Sequence, residues 1–321
     1  MGSIMAAEIA EIPVAAERLL RAGVGDAPQV VAMAKPHVVL TLARGSSDHA
    51  ASVVKYAIET MVGVPVASFG PSVVSIYGAA TMPVRAVVVV ISQSGASVDL
   101  LRAAERLQAG GAPVVALTNR TDSPLAAMAD AVVDLSAGPE RAVAATKSFV
   151  NSVLAGLMLV AAWSGNGALS AALERLPGAL AGGTGEGLGA LEGADKAMVV
   201  GRGPGFGIAQ EMALKLIELC GIQALAYSGA EMLHGPRRLI GPGYPVITVE
   251  GGARGGLSEA NAALEAQGAR VFRAPSGVAG HFLAEPLLAM PWFYGAVEAL
   301  SRARGNDPDR PPHLMKETVT V

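Results

Sequence analysis

The chain has 321 residues, of which 51% are hydrophobic and 16% are charged, a balance that excludes an intrinsically disordered protein. Its net charge of −3 indicates neither a nucleic-acid-binding surface nor an electrostatic membrane binder, so we expect no nucleic acid and no membrane as partners. Cys220 is the only cysteine, which excludes an intrachain disulfide and a cysteine-based metal cluster.

The N-terminus has no basic region followed by an apolar stretch, and no run of about 18 uncharged apolar residues occurs in the chain. The most apolar segment, 149–163, contains Asn151 and Ser152 and fits a buried helix better than a membrane span. We therefore expect a cytoplasmic protein.

Short apolar, β-branched segments alternate with helical patterns in the first half of the chain. The strand segments are apolar throughout, which predicts a parallel sheet covered on both faces. The predicted strands are 37–42, 65–68, 86–91, 113–118 and 131–135. The predicted helices are 48–62, 97–109, 124–129 and a long apolar helix over about 146–163.

The composition changes over 164–191, which includes the glycine-rich stretch 182–189 and predicts a hinge between the halves with a short helix at 168–176 inside it. The alternation then resumes. The predicted strands are 196–200, 223–227, 245–250 and 270–274, and the predicted helices are 207–220, 257–267 and 283–304. This repetition predicts an α/β fold of two tandem doubly wound domains. The first domain would comprise residues 1–175, including an N-terminal helix. The second would comprise residues 176–321, including the hinge and a C-terminal tail.

Two turns that follow strands in the first half carry hydroxyl groups. Ser92, Gln93, Ser94 and Ser97 lie between a strand and a helix, where side-chain donors and the free N–H groups of the helix can bind an anion. No Gly-Lys-Ser/Thr follows, so a monophosphate fits better than a nucleoside triphosphate. The alternative is that Ser97 only caps the helix. Ser46 and Ser47 follow another strand and either bind sugar or phosphate groups or, with Asp48, cap a helix.

The second half offers one glycine loop and one charged helix. The loop 201–207 resembles a dinucleotide loop only superficially, because the next strand ends in Tyr-Ser and supplies no acidic residue for a ribose. In the following helix, Glu211, Lys215 and Glu218 share one face among apolar residues. They form either a solvated face with one ion pair or a carboxylate, Glu218, that Lys215 tunes for proton transfer.

Further along, His234 lies in a loop before Gly-Pro, and Lys316 lies in the tail, either solvated or folded back into a cleft. In this order, the serine turn, the Glu-Lys-Glu helix, the histidine loop and the tail lysine resemble the sugar isomerase (SIS) domain family. Within it, the isomerase half of the glucosamine–fructose-6-phosphate aminotransferases is similar over almost the whole chain. The segments that carry the resemblance are ISQSGAS, AVAATKSF, AQEMALKLIEL, AYSGAEMLHGP and LMKETVTV.

The resemblance implies five-stranded parallel sheets of flavodoxin-like type, no cofactor and no metal. It implies a homodimer in which His234 enters the cleft of the partner subunit and opens the sugar ring. It further implies that Glu218 is the base between the first and second sugar carbons, with Lys215 beside it, and that Lys316 forms a Schiff base with a ketose. The implied substrate-binding residues are Ser46, Ser47, Ser92, Gln93, Ser94, Ser97, Val143 and Ala145.

This chain departs from the aminotransferases at several positions. Arg44 stands where they have Cys, Ser97 replaces Thr and Ala145 replaces Ser, which removes a polar contact to the sugar. Residue 2 is Gly, and we expect no N-terminal glutaminase domain. The resemblance then implies a deaminase that converts glucosamine 6-phosphate to fructose 6-phosphate and ammonia. The alternatives are a fructosamine-6-phosphate deglycase and a regulatory phosphosugar-binding protein without turnover.

Overall fold

The computed structural model describes residues 2–79, 85–181, 187–251 and 256–316, which fold into two parallel β-sheets flanked by helices. In this part of the chain the strands are β1 Val38–Leu42, β2 Val66–Ser68, β3 Ala86–Ile91, β4 Val114–Thr118, β5 Ala131–Asp134, β6 Lys196–Gly201, β7 Gln223–Ser228, β8 Pro245–Val249 and β9 Arg270–Arg273. The helices are α1 Ile4–Ala10, α2 Ile12–Ala22, α3 Ala27–Ala34, α4 Ser46–Met61, α5 Ser72–Ser75, α6 Val98–Ala109, α7 Pro124–Met128, α8 Lys147–Ser164, α9 Gly167–Leu180, α10 Gly205–Cys220, α11 Gly229–Met232, α12 Ser258–Ala266 and α13 Ala289–Ala303. Short 3-10 helices cover Gly189–Leu191, Gly235–Leu239 and Glu285–Leu288.

The first sheet has the strand order β2-β1-β3-β4-β5, with every neighbouring pair parallel. This is the flavodoxin-like order, so the predicted architecture is confirmed for this sheet. Every residue of β3 and of β4 is buried. Their uninterrupted apolar sequences are thus those of strands covered on both faces.

The second sheet has the order β7-β6-β8-β9, again all parallel. The prediction of five strands is wrong for this sheet in the residues that the structure describes, where it has four. After β9 the chain runs through Pro275, Gly277 and Gly280 into the 3-10 helix Glu285–Leu288. These residues break an extended segment and leave no apolar run for a fifth strand.

The chain divides into two compact units. The first-sheet unit contains Val14–Pro139 and Ser148–Leu173, and the second-sheet unit contains residues 2–13, Glu140–Lys147 and the described part of Glu174–Lys316. Each compact unit is built from several separate segments of the chain, so this division does not test a single boundary in the sequence. The predicted boundary at residue 175 stays a prediction.

Helix α1 belongs to the second-sheet unit although it lies at the start of the chain. The backbone N–H groups of Ile4 and Met5 donate to the Asp309 carboxylate at 2.9 and 2.8 Å. The Ser3 hydroxyl caps α1 and donates to Glu298 Oε1 at 2.7 Å. A side chain far along the chain therefore satisfies two of the N–H groups that the first turn of a helix leaves unpaired.

Two helical features differ from the sequence prediction. The N-terminal region forms α1, α2 and α3 rather than one helix. Helix α9 extends to Leu180 although Pro177 lies inside it and cannot donate the i→i−4 hydrogen bond at that position. Within the predicted hinge 164–191, residues 182–186 lie outside the described residues. Helix α8 is long and apolar enough to cross a membrane, but 78% of it is buried within the protein, as in a core helix.

Candidate functional site

The serine loop, residues 92–97, joins β3 to α6. Ser92 Oγ accepts a hydrogen bond from the Gly95 N–H at 3.2 Å, and Ser94 Oγ accepts one from the Ala96 N–H at 3.3 Å. Ser97 occupies the N-cap position of α6, yet its side chain makes no capping hydrogen bond. Capping therefore does not account for the Ser97 hydroxyl, and anion binding by the loop stays a prediction.

The backbone of the serine loop is held by the turn that follows β4. The Leu125 N–H donates to the Gly95 carbonyl at 3.1 Å, and the Asn119 N–H donates to the Gln93 carbonyl at 3.2 Å. Gly95 has φ +62°, and a Cβ there would lie 2.1 Å from Ser123 Oγ. Only glycine fits this position, and the loop is shaped before any ligand arrives.

The turn after β1 carries the second group of hydroxyls. Gly45, with φ 53°, is the N-cap residue of α4, so neither Ser47 nor Asp48 caps this helix. Ser46 and Ser47 occupy its first turn and are half-buried. Since β1 and β3 are neighbouring parallel strands, the two hydroxyl-bearing turns follow the same edge of the first sheet.

The charged stripe of α10 is buried rather than solvated. Lys215 Nζ lies 2.7 Å from Glu218 Oε2 and 3.2 Å from Glu211 Oε1. The side chains of Glu211 and Lys215 are 0% and 1% exposed, whereas that of Glu218 is 22% exposed. Burial opposes the charge on Lys215, but the two carboxylates outweigh it and raise the pKa of this lysine. The stripe is therefore a buried triad in which Glu218 alone reaches the surface.

Tyr294 on α13 completes this cluster and was missed in the sequence. Its hydroxyl donates to Glu211 Oε1 at 3.3 Å. Burial, followed by the negative charge of Glu211, raises the pKa of Tyr294 well above its usual value, so the hydroxyl keeps its proton. The charges of Glu140 and Glu218 act in the same direction. A tyrosine among apolar helix residues gives no signal in the sequence that its hydroxyl donates to a buried carboxylate.

Lys316 folds back onto Glu140, and its side chain is 25% exposed. Its ammonium group lies 3.0 Å from Glu140 Oε2 and donates to the Ala142 carbonyl at 2.8 Å. Glu140 Oε1 accepts from the N–H and the hydroxyl of Thr146 at 2.9 and 3.2 Å. The segment Glu140–Lys147, which includes the half-buried Val143 and Ala145, thus anchors the tail lysine. Glu140 was not predicted from the sequence.

His234 lies exposed before the 3-10 helix Gly235–Leu239. Its backbone N–H donates to the Glu231 carbonyl at 3.0 Å, but its imidazole makes no hydrogen bond in the described part of the chain. The structure therefore leaves His234 outside the cluster formed by Glu211, Lys215 and Glu218.

The glycines at 201–207 have a packing explanation. A Cβ at Gly201 would lie 2.2 Å from the Gly205 carbonyl oxygen, and a Cβ at Gly205 would lie 3.0 Å from that of Val249. Glycine thus permits α10 to approach the sheet closely.

Burial raises the pKa of Cys220 to about 12, so this thiol is no nucleophile. Within the described ranges, no group of three His, Cys, Asp or Glu side chains is arranged to hold a metal.

The amino-acid sequence is similar to a known domain family and to characterised relatives. The family model described as "SIS domain" matches residues 32–162. A glutamine–fructose-6-phosphate aminotransferase (isomerizing) from Aeropyrum pernix is 33% identical over 319 residues, covering 88% of this chain and 51% of the relative. The chain thus spans about half the length of the curated relatives it matches.

Two solved structures are similar over nearly the whole chain. A protein from Silicibacter pomeroyi, provisionally named a phosphosugar isomerase, is 40% identical, with a TM-score of 0.90 and coverage of 96% of this chain and 100% of that one. A glucosamine-6-phosphate deaminase from Thermotoga maritima is 23% identical, with a TM-score of 0.82 and coverage of 99% and 100%. At that identity, the second likeness concerns the fold alone.

Proposed function

Because the chain belongs to the SIS domain family, we propose that it isomerises and deaminates an amino-sugar 6-phosphate, converting glucosamine 6-phosphate and water to fructose 6-phosphate and ammonia. The observation that carries this proposal is the buried triad on α10, in which Glu218 alone reaches the surface. A carboxylate fixed by a buried cation is suited to repeated proton transfer without leaving its position. The name of the Aeropyrum pernix relative, an aminotransferase of fructose 6-phosphate, supports the choice of a sugar 6-phosphate as substrate.

In the proposed reaction, the serine loop with Ser46 and Ser47 binds the sugar phosphate, while Val143 and Ala145 line the substrate. His234 opens the pyranose ring. Glu218 then takes the proton from the second carbon and returns it to the first, through an enolamine. Water adds to the resulting ketimine, and ammonia leaves. No step requires a metal or a cofactor, because a carboxylate and an amine suffice.

Lys316 assists through a Schiff base with the open-chain ketose. Held as an ammonium ion by Glu140 and the Ala142 carbonyl, it first has to pass a proton to Glu140 or to water. In place of direct attack by water, the amine then adds to the ketimine carbon and ammonia leaves, and water hydrolyses the resulting Schiff base to fructose 6-phosphate and the free lysine. Glu140 thereby fixes the lysine and offers a place for its proton.

Lys316→Arg keeps the positive charge beside Glu140 but cannot form a Schiff base. We expect fructose 6-phosphate and borohydride to add a stable sugar adduct to the wild-type protein and none to this variant, with slower ammonia release. Mass spectrometry of the intact protein measures the adduct. Lys196→Arg, on the exposed start of β6, is the matched control and should keep the adduct. An adduct on Lys316→Arg would exclude the assigned role.

Ammonia release from a panel of amino-sugar and fructosamine 6-phosphates tests the proposed function as a whole. Ammonia from glucosamine 6-phosphate supports it. Release of an amino acid from a fructosamine 6-phosphate would instead support a deglycase. Tight binding without turnover of any compound would support a regulatory phosphosugar-binding protein.

We also propose a homodimer in which His234 acts in the site of the partner subunit, which agrees with the exposure of this residue in the single chain. Inactive His234→Ala and Glu218→Gln chains, mixed and allowed to exchange, should then regain about a quarter of the wild-type activity, because each hybrid has one intact site. Either variant mixed with itself is the control. A fully active monomer in light scattering would refute the arrangement.

A further inference from the structure

The two turns at the edge of the first sheet carry an unexpected balance of charge. Residues 43–49 and 92–99 contain one arginine, Arg44, one histidine, His49, and two aspartates, Asp48 and Asp99. Their formal charge is therefore −1 when His49 is neutral. A phosphate monoester is itself a dianion near neutral pH, so two carboxylates beside its site would repel it. Arg44 is the permanent cation of these turns.

Arg44 is held on Asp99 by two contacts to one oxygen. Its Nε and Nη2 atoms lie 2.9 and 2.5 Å from Asp99 Oδ2, and Asp99 Oδ1 accepts from the Leu100 N–H at 2.9 Å. The Asp99 side chain is 1% exposed, whereas that of Arg44 is 51% exposed. The carboxylate is thus fixed inside the protein, and the guanidinium group has one face bound and one face open.

Asp99 lies in the first turn of α6, where the helix dipole favours negative charge. It therefore competes with a bound phosphate for the same N-terminus. Arg44 offsets that competition by neutralising Asp99. Burial raises the pKa of Asp48, while the charges of His49 and Arg44 act in the opposite direction, so Arg44 acts on both carboxylates.

We propose that Arg44 is the counter-cation of the serine loop, that Asp99 is the positioning residue which holds it there, and that the pair selects a phosphate monoester dianion. This inference rests on the proposed function, in which the serine loop binds the substrate phosphate.

Titration calorimetry with inorganic phosphate, under mildly alkaline conditions where the dianion dominates, tests the pair without turnover. Arg44→Ala should weaken phosphate binding by about tenfold or more, the loss of one charge-assisted hydrogen bond. Arg44→Lys should recover part of this loss. Ser94→Ala should also weaken binding, which reports on the loop itself. Arg21→Ala, which removes an exposed arginine paired with Glu17 on α2, is the matched control and should bind like the wild type.

The double variant Arg44→Ala/Asp99→Asn separates charge from structure, because it removes the negative charge of Asp99 together with the guanidinium group. It should bind phosphate more tightly than Arg44→Ala alone, and thermal unfolding shows that each variant is folded. With glucosamine 6-phosphate, Arg44→Ala should raise KM and change kcat little. Unchanged phosphate affinity in Arg44→Ala, or a double variant as weak as the single one, would overturn the inference. A different outcome is a wild-type protein that binds phosphate in an Arg44-dependent way and yet turns over none of the amino-sugar or fructosamine 6-phosphates. That result would overturn the proposed function and leave the role of Arg44 intact.

Discussion

Glu218→Gln is expected to lower turnover by about 10²–10⁴-fold, the usual contribution of a positioned general base, while sugar-phosphate affinity changes little. Glutamine keeps the size of the side chain and can still accept a hydrogen bond from Lys215, which lies 2.7 Å from Glu218 Oε2. It cannot take up the proton of the second sugar carbon. The effect should therefore appear in kcat and not in KM.

Exchange of deuterium from the second carbon into solvent measures the proton-transfer step directly. Wild-type protein should release the label, and Glu218→Gln should retain it. Glu265→Gln is the matched control, because Glu265 is also a carboxylate in an ion pair, with Arg273 at 2.6 Å, but lies exposed on α12. Normal turnover by Glu218→Gln would rule out the proposed mechanism.

Lys215→Met is expected to lower the free energy of unfolding by about 3–5 kcal/mol, the typical cost of removing one partner from a buried ion pair. Methionine nearly fills the space but leaves Glu211, which is 0% exposed, without its cation. Chemical denaturation measures the loss. Lys55→Met, on α4 at an exposed position, is the matched control and should unfold almost like the wild type.

Adding Glu211→Gln to Lys215→Met removes the unpaired charge and should recover part of the stability. A double variant no more stable than Lys215→Met would contradict this explanation.

The stabilisation that Lys215 gives through its ion pairs depends on pH. Since the folded pKa of Lys215 lies above its ordinary value of 10.5, the stabilisation is complete below about pH 10.5 and is lost as the pH rises through the folded pKa.

Hydrophobic patterning predicted the central strands well because both sheets are parallel and β3, β4, β6 and β8 are buried along nearly their whole length. The β3 and β8 segments were predicted to within one residue of Ala86–Ile91 and Pro245–Val249. The N-terminal helices were harder to resolve, since they are short and take their stability from distant partners such as Asp309. Local sequence carries no record of such partners.

In the candidate site too, contacts within one helix could be predicted from the sequence, whereas contacts between distant residues could not. Spacing alone placed Glu211, Lys215 and Glu218 on one face, and their ion pairs confirm it. Glu140 and Asp99 escaped prediction because each acts through a residue far away in the chain, Lys316 and Arg44. An isolated Arg directly after a strand was the one available signal. The roles of the serine loop, His234 and Lys316 in a reaction stay predictions.

The attachment of α1 to Asp309 has a consequence for the order of assembly during synthesis. The partners are separated by 304 and 305 positions, so the contact is about as non-local as this chain allows. At typical translation rates of about 5–20 residues per second, α1 emerges from the ribosome roughly 15–60 s before its acceptor. For that interval its apolar face, which includes the fully buried Met5, has no final place to pack. The second-sheet unit therefore cannot close around α1 until the segment that contains Asp309 has been synthesised.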